Sequence, residues 1–207
     1  MNSKIIPSII AESQKEFDER FSKMKNISKV FHLDIMDGKF VKNRSLMFNL
    51  TLPRKKYQIH LMVNNPEKYI KIIYSKADTI IFHLESTKNP EKIIKFIRKK
   101  KKKVWIVLNP QTSVKKIEDY LGLIDGVLIM TVTPGKYGSK FQPAMLKKIN
   151  QIKKLNPSIM VGVDGGVNDK TILKIHKAGA DSFVSGSYLQ NSKNPRKAIK
   201  SLMNLIK

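Results

Sequence analysis

Cysteine is absent from the 207 residues. That removes a disulfide framework, thiolate-held zinc or iron–sulfur sites and any cysteine nucleophile, so a metal would have to be held by His, Asp or Glu. Long apolar runs are missing too. The amino-terminal stretch from Ile5 to Ile10 is interrupted by Pro7 and followed by Glu12. It is too short for a secretory core or a membrane span, so no membrane association and a cytoplasmic location are expected. No linker rich in Pro, Gly or Ser divides the chain, and the run Lys99 to Lys103 is its one low-complexity tract. Acidic residues number 16 against 40 basic ones, a net charge of +24, yet only Arg20, Arg44, Arg54, Arg98 and Arg196 are arginines. Arginine is the usual bidentate reader of bases and phosphates, so a lysine excess spread along the chain reads as a solvated basic surface. No nucleic-acid partner is expected. A basic nucleic-acid-binding protein on an inactive barrel is the reading from another class.

What is present is periodic. With 41% hydrophobic and 27% charged residues the chain has a globular composition. Short β-branched runs recur about every twenty-five residues: Lys4 to Ile10, Lys29 to Asp34, Gln58 to Val63, Thr79 to His83, Val104 to Leu108, Gly126 to Thr131, Ile159 to Asp164 and Ser182 to Gly186. They are nearly continuous apolar runs, as in a parallel sheet covered on both faces. Helical signals lie between them. Asn89 to Lys101 opens on an Asn cap and Pro90, and Asn168 to Ala178 starts with a cap and ends at Gly179. A further helix is assigned to Lys42–Lys56, and Lys99 to Lys103 is read as a helix end entering a strand. Eight such units predict an α/β fold, a (β/α)8 TIM barrel forming a single domain over residues 1–207. A doubly wound open sheet is the alternative, but Pro7 to Ala11 offers no Gly-rich dinucleotide turn.

In a barrel, catalytic groups lie at the carboxyl ends of strands. Ser8, His32, Asp34, His60, His83, Glu85, Asn109, Thr131, Asp164, Gly186 and Ser187 all fall there. His32 and Asp34 are two apart on a strand and share a face. Two imidazoles, His32 and His60, with two carboxylates, Asp34 and Asp164, supply four ligands suited to zinc, iron, manganese or cobalt and too nitrogen-rich for magnesium. A buried polar network without metal is the alternative. Carboxylates facing one another across the ring of strands suit two-base proton transfer next to a ketone, and a divalent cation lowers that barrier by stabilising the enediolate charge. There is no GxSxG elbow, although Ser8 is retained as a candidate nucleophile. Gly135, Gly138, Gly165, Gly166 and Gly186 cluster after the last three strands, where barrels commonly hold phosphate.

The segments Pro7-Ser8-Ile9, His32-Leu33-Asp34-Ile35-Met36-Asp37-Gly38, Phe40-Val41, His60-Leu61-Met62, Leu108-Asn109-Pro110, Met130-Thr131-Val132, Pro134-Gly135 and Val163-Asp164-Gly165-Gly166 resemble the ribulose-phosphate 3-epimerase family in order over nearly the whole chain. The resemblance implies an isomerase of carbohydrate metabolism. Its activity would be metal-dependent 3-epimerisation of D-ribulose 5-phosphate to D-xylulose 5-phosphate in the pentose phosphate route. It implies His32, Asp34, His60 and Asp164 as ligands of one divalent metal ion, with Asp34 and Asp164 as the acid/base pair. Ser8 would orient a substrate hydroxyl or an aspartate, and Met36, Met62 and Met130 would line the substrate site or serve as core filler. Gly138, Gly166, Gly186 and Ser187 would cradle the phosphate, and homo-oligomers are implied. Asp37 reads as a turn residue. Related decarboxylase and hexulose-phosphate synthase barrels carry a lysine among their strand carboxylates, which this chain lacks.

Four positions differ from the family's usual pattern. Its Pro-Gly-Phe-Gly-Gly-Gln loop is here Pro134, Gly135, Lys136, Tyr137, Gly138 and Ser139, and Lys42 replaces a proline. Lys136 would then engage phosphate by its side chain. A longer ketose phosphate, such as allulose 6-phosphate or another hexulose 6-phosphate, or a heptulose 7-phosphate, is the alternative substrate. A free ketose is a third.

Overall fold

The computed structural model describes residues 4–135 and 138–207. Lys136 and Tyr137 lie outside the described residues. In chain order the elements are β1 (Lys4–Ile9), α1 (Gln14–Met24), β2 (Val30–Asp37), β3 (Arg44–Ser45), β4 (Lys56–Met62), α2 (Pro66–Ile73), β5 (Thr79–His83), α3 (Pro90–Lys99), β6 (Lys103–Leu108) and β7 (Gly126–Met130). They continue with α4 (Leu146–Leu155), β8 (Met160–Asp164), α5 (Ile172–Lys177), β9 (Ser182–Ser185), α6 (Ser187–Gln190) and α7 (Pro195–Asn204). Among the described residues, β1, β2 and β4 to β9 pair in parallel with their chain neighbours, and β1 pairs with both β2 and β9. The sheet is therefore closed, a (β/α)8 barrel.

Local chemistry explains most of the boundaries. Asn89 Oδ1 accepts from Lys92 N at 3.0 Å and Pro90 follows, so α3 starts where expected. Its end falls inside the lysine run: Lys101 takes φ +55°, Lys101 N donates to Arg98 O and Lys102 N to Ile97 O, and β6 begins at Lys103. This paired closure satisfies the last carbonyls of the helix with a lysine in the left-handed position usually given to glycine. Two expectations need correction. The helix after β8 starts at Ile172, because Asn168 Oδ1 instead accepts from Lys170 N and Thr171 Oγ1 donates to Gly166 O, which forms a turn. Residues 42–56 contain no helix. Arg44–Ser45 adds an antiparallel strand to an extended β2, and the backbone beyond it bonds to the β1–α1 segment: Leu46 N donates to Ala11 O and Thr51 N to Gln14 Oε1. Those groups are then lost to any helical ladder.

The barrel has two apolar zones. Outward side chains such as Phe31, Leu33, Ile59, Phe82 and Phe183 pack under the helices. Inside, Ile81, Trp105, Val107, Leu128, Met130, Val132 and Val184 form a separate plug. The single tryptophan fills the lower part of this plug, and Gly126 and Gly162 on the two following strands make room for its ring. A Cβ at Gly126 would sit 2.4 Å from Trp105 Cε2, and one at Gly162 2.9 Å from Cζ3. With the floor sealed by apolar groups, the polar side chains of the same strands stand above it at the carboxyl end. Gly126→Ala is expected to overpack this floor at a cost of about 1–3 kcal/mol. Thermal unfolding should show a fall of several degrees, with Trp105 fluorescence altered; an unchanged melting temperature would mean that the indole ring does not occupy this space.

Candidate active site

The pleat of three strands aims the candidate ligands inward. On β2, His32, Asp34 and Met36 alternate with outward-facing Leu33 and Ile35. The register sets Asp34 beside His60 and Met36 beside Met62 on β4, and Met130 of β7 beside Asp164 of β8. His32 Nε2 lies 3.2 Å from His60 Nδ1. Asp34 Oδ1 is 3.3 Å from the first and 3.0 Å from the second, and Asp164 Oδ2 is 3.8 Å and 3.4 Å from them. All four ligand atoms lie within 4.8 Å of one another. The two histidines are fully buried and Asp34 nearly so, while the Asp164 side chain, 14% exposed, reaches into the cleft.

This packing is electrostatically demanding. Burial alone would raise the Asp34 carboxyl, but the neighbouring His32 and His60 hold it well below the usual carboxylate range. Burial opposes charge on His60, yet its bonds to Asp164 and Asp34 push it up to about 9. The charged form of His60 is thereby favoured, and its charge would offset the carboxylates as a bound cation would.

The outer ring nitrogens are also occupied. His32 Nδ1 lies 3.3 Å from Gln58 Oε1, and His60 Nε2 lies 2.8 Å from His83 Nε2. An amide oxygen only accepts, so Gln58 favours a proton on His32 Nδ1 and leaves Nε2 as the nitrogen that a cation would take. Four-coordinate zinc with bonds near 2 Å separates its ligand atoms by roughly 3.3 Å, and the separations that involve the two imidazoles, 3.0–3.8 Å, bracket that value. The donor set and its spacing therefore fit a divalent cation.

Above the ligands opens a cleft of about 540 Å³. It is lined by Ser8, Asp34, Met36, Met62, Met130, Asp164, Gly138, Gly166, Gly186 and Ser187 among others. Of the residues nominated as ligands or as substrate and phosphate contacts, His32 and His60 lie beneath this surface and Lys136 lies outside the described residues; the rest face the cleft, whereas the strand-end residues His83, Glu85, Asn109 and Thr131 do not. Gly165 and Gly166 take φ +106° and +66°, and a Cβ on Gly165 would stand 2.3 Å from Val132 Cγ2. The backbone after β8 therefore runs against the neighbouring loop as only glycine allows.

Other residues hold the site without a signal in the sequence strong enough to assign them. Thr131 N and Oγ1 both donate to Asp164 O, and Oγ1 also donates to Gly165 O, which anchors the end of β8. Asp37 is the turn residue expected: Oδ1 accepts from Lys39 N and Phe40 N, and Oδ2 accepts from Asn64 N, which ties the loop after β2 to the loop after β4. His83 and Glu85 are visible as strand-end polar residues, but their link to His60 depends on the register between strands.

Comparison with known proteins bears on this arrangement. Residues 4–190 match the family model described as "Ribulose-phosphate 3 epimerase family". A ribulose-phosphate 3-epimerase of Helicobacter pylori strain J99 is 34% identical over 98% of this chain and 97% of its own length. One from Schizosaccharomyces pombe is 33% identical over 100% and 95%. In fold, the chain resembles KGPDC from Streptococcus mutans, with a TM-score of 0.74 at 16% identity over 100% of this chain and 98% of that one.

The charge state of His60 sets an expectation for pH. Its value in the folded protein lies above the ordinary 6.5, so its contribution to stability is complete below pH 6.5 and is lost as pH rises through about 9. Thermal melts in excess chelator should show this fall in the wild type and not in His60→Asn. An equal fall in the variant would assign it to other groups.

Proposed function

The chain belongs to the ribulose-phosphate 3-epimerase family, and from that membership we propose that it interconverts D-ribulose 5-phosphate and D-xylulose 5-phosphate by inverting C3. The protein is a carbohydrate epimerase, and the convergence of His32, Asp34, His60 and Asp164 within 4.8 Å is the observation that supports this chemistry. Those four side chains would hold one divalent cation, zinc, iron, manganese or cobalt. When bound it would supply Lewis-acid stabilisation for the charge that develops on the C2 oxygen.

Asp34 and Asp164 come from strands on different sides of the ring and would address opposite faces of C3. One carboxylate takes the C3 proton as the C–H electrons move into the C2–C3 bond and the carbonyl π pair moves to oxygen. The other, already protonated, returns a proton to the opposite face. After one turnover the two groups have exchanged protonation states and are set for the reverse reaction, so no covalent intermediate is required. Asp34, held ionised by the two histidines, is suited to the abstracting role in one direction. Met36, Met62 and Met130 are buried in the wall of the cleft, where their thioethers would exclude water from the reacting carbons with soft, apolar contacts. Ser8 would orient a hydroxyl of the sugar or an aspartate. The backbone at Gly138, Gly166 and Gly186 with Ser187 would take the phosphate, with Lys136 as its side-chain contact, and a net charge of +24 favours an anionic substrate.

A ketose phosphate longer than five carbons draws support from a second cavity beside the cleft. It is lined by Phe40, Asn43, Asn109 and Gln111 and shares Pro134, Gly135 and Ser139 with the cleft. A panel of five-, six- and seven-carbon ketose phosphates, each paired with its free sugar, separates the readings. Ribulose 5-phosphate should give the highest kcat/KM and the free sugars at most a small fraction of it. Higher kcat/KM for a hexulose or heptulose phosphate would move the assignment to that substrate.

Asp34→Asn and Asp164→Asn should each lower kcat by about 10³-fold or more, since each removes an acid/base group and a charged ligand. Incorporation of solvent deuterium at C3 during wild-type turnover is the direct measurement. Its absence with every ketose phosphate tried would eliminate the proton-transfer mechanism.

A further inference from the structure

His60 can serve as a ligand through Nδ1 only if that nitrogen carries a lone pair, and a second histidine stands behind it in a position to decide this. His60 Nε2 and His83 Nε2 are 2.8 Å apart, with both rings fully buried, within 20° of parallel and meeting edge to edge at a centroid separation of 5.0 Å. At that distance one nitrogen donates and the other accepts, and the two choices have opposite consequences. If His83 donates, neutral His60 must keep its proton on Nδ1, pointing at Asp34 and Asp164. If His83 accepts, His60 is protonated at Nε2 and its Nδ1 is free for a cation.

The surroundings of His83 select the second choice. Its Nδ1 is buried without a hydrogen-bond partner among the described residues and faces the Glu85 carboxylate, with Oε2 3.5 Å away. A carboxylate only accepts, so it favours the tautomer with the proton on Nδ1 and leaves His83 Nε2 as the acceptor. Glu85 is itself held in place: Oε1 accepts from Asn109 N at 3.1 Å and from Thr112 Oγ1. The loop bearing those donors is fastened by the buried Lys148 of α4, whose ammonium donates to Asn109 O, Pro110 O and Thr112 O at 2.7–2.9 Å. Phe40 covers the His83 ring at a centroid distance of 4.7 Å.

We propose that His83, set by Glu85, is a positioning residue that holds His60 in the Nε2–H form and so prepares Nδ1 as a metal ligand. Lys148, through the loop 109–112, keeps Glu85 in place. The proposal rests on the metal-dependent reading above. Loss of such an outer hydrogen bond commonly lowers metal affinity 10- to 100-fold.

The test is zinc affinity of the purified, chelator-stripped full chain, measured by competition with a chromophoric chelator and independent of turnover. His83→Leu should bind zinc about 10- to 100-fold more weakly than wild type, while His83→Gln, which offers a carbonyl oxygen near the position of Nε2, should recover most of the affinity. Glu85→Gln should show a smaller loss, and it decides the matter if His83→Leu fails to fold. In the zinc-loaded wild type, ¹⁵N NMR should place the His60 proton on Nε2. Wild type that binds no zinc would overturn the metal reading and this inference together. Wild-type binding that is unchanged in a folded His83→Leu, or in Glu85→Gln when that variant decides, would overturn this inference alone.

Discussion

Two carboxylates aimed at the same few ångströms of a buried space do not remain there without positive charge. Asp34 and Asp164 both approach His32 and His60 at 3.0–3.8 Å, and the barrel gives none of the four much contact with water. Repulsion between the aspartates must be met by a proton on an imidazole or by a cation among all four. The raised His60 value and the family's chemistry are two expressions of this single constraint. It also accounts for the layers around the site, because a charge-balanced cluster needs neighbours that neither flood it with water nor leave its outer nitrogens unpaired. Met36, Met62 and Met130 meet the first need, and Gln58 and His83 the second.

The closed sheet makes the convergence rigid. Each ligand sits on a strand whose register with its neighbours is set by backbone hydrogen bonds, and the strands are wedged from below by a tryptophan that two glycines accommodate. The loops above are tied by side chains that take no part in the chemistry. Thr131 secures the end of β8, Asp37 joins two loops, and Lys148 gathers three carbonyls. Such supports keep the ligand atoms close to working distances before anything binds, which lowers the reorganisation required at the reaction step.

Charge enters at two scales. The net +24 is a field, carried by exposed lysines and suited to drawing in an anion. Lys148 departs from that pattern, since it is buried and spends its charge on backbone carbonyls, with burial pulling its pKa down and Glu85 opposing that shift. Composition treats it like any other lysine, and only its place in α4 against the loop after β6 reveals the difference.

Much of this protein follows from local pattern. Eight apolar runs at regular spacing, an Asn-Pro helix start at Asn89 and polar residues confined to strand ends suffice for the barrel and for the quartet His32, Asp34, His60 and Asp164. Strand alternation is a two-residue rule, and the barrel's active face follows from chain direction. Where the pattern failed, other partners had claimed the polar groups: Leu46 and Thr51 bond to the distant β1–α1 segment, and Asn168 closes a local turn with Lys170 in place of capping a helix. The roles of His83, Glu85 and Lys148 were likewise decided by tertiary structure. A hydrogen bond between side chains 23 residues apart, His60 to His83, depends on the register of β4 against β5, and no local feature of either segment carries that register.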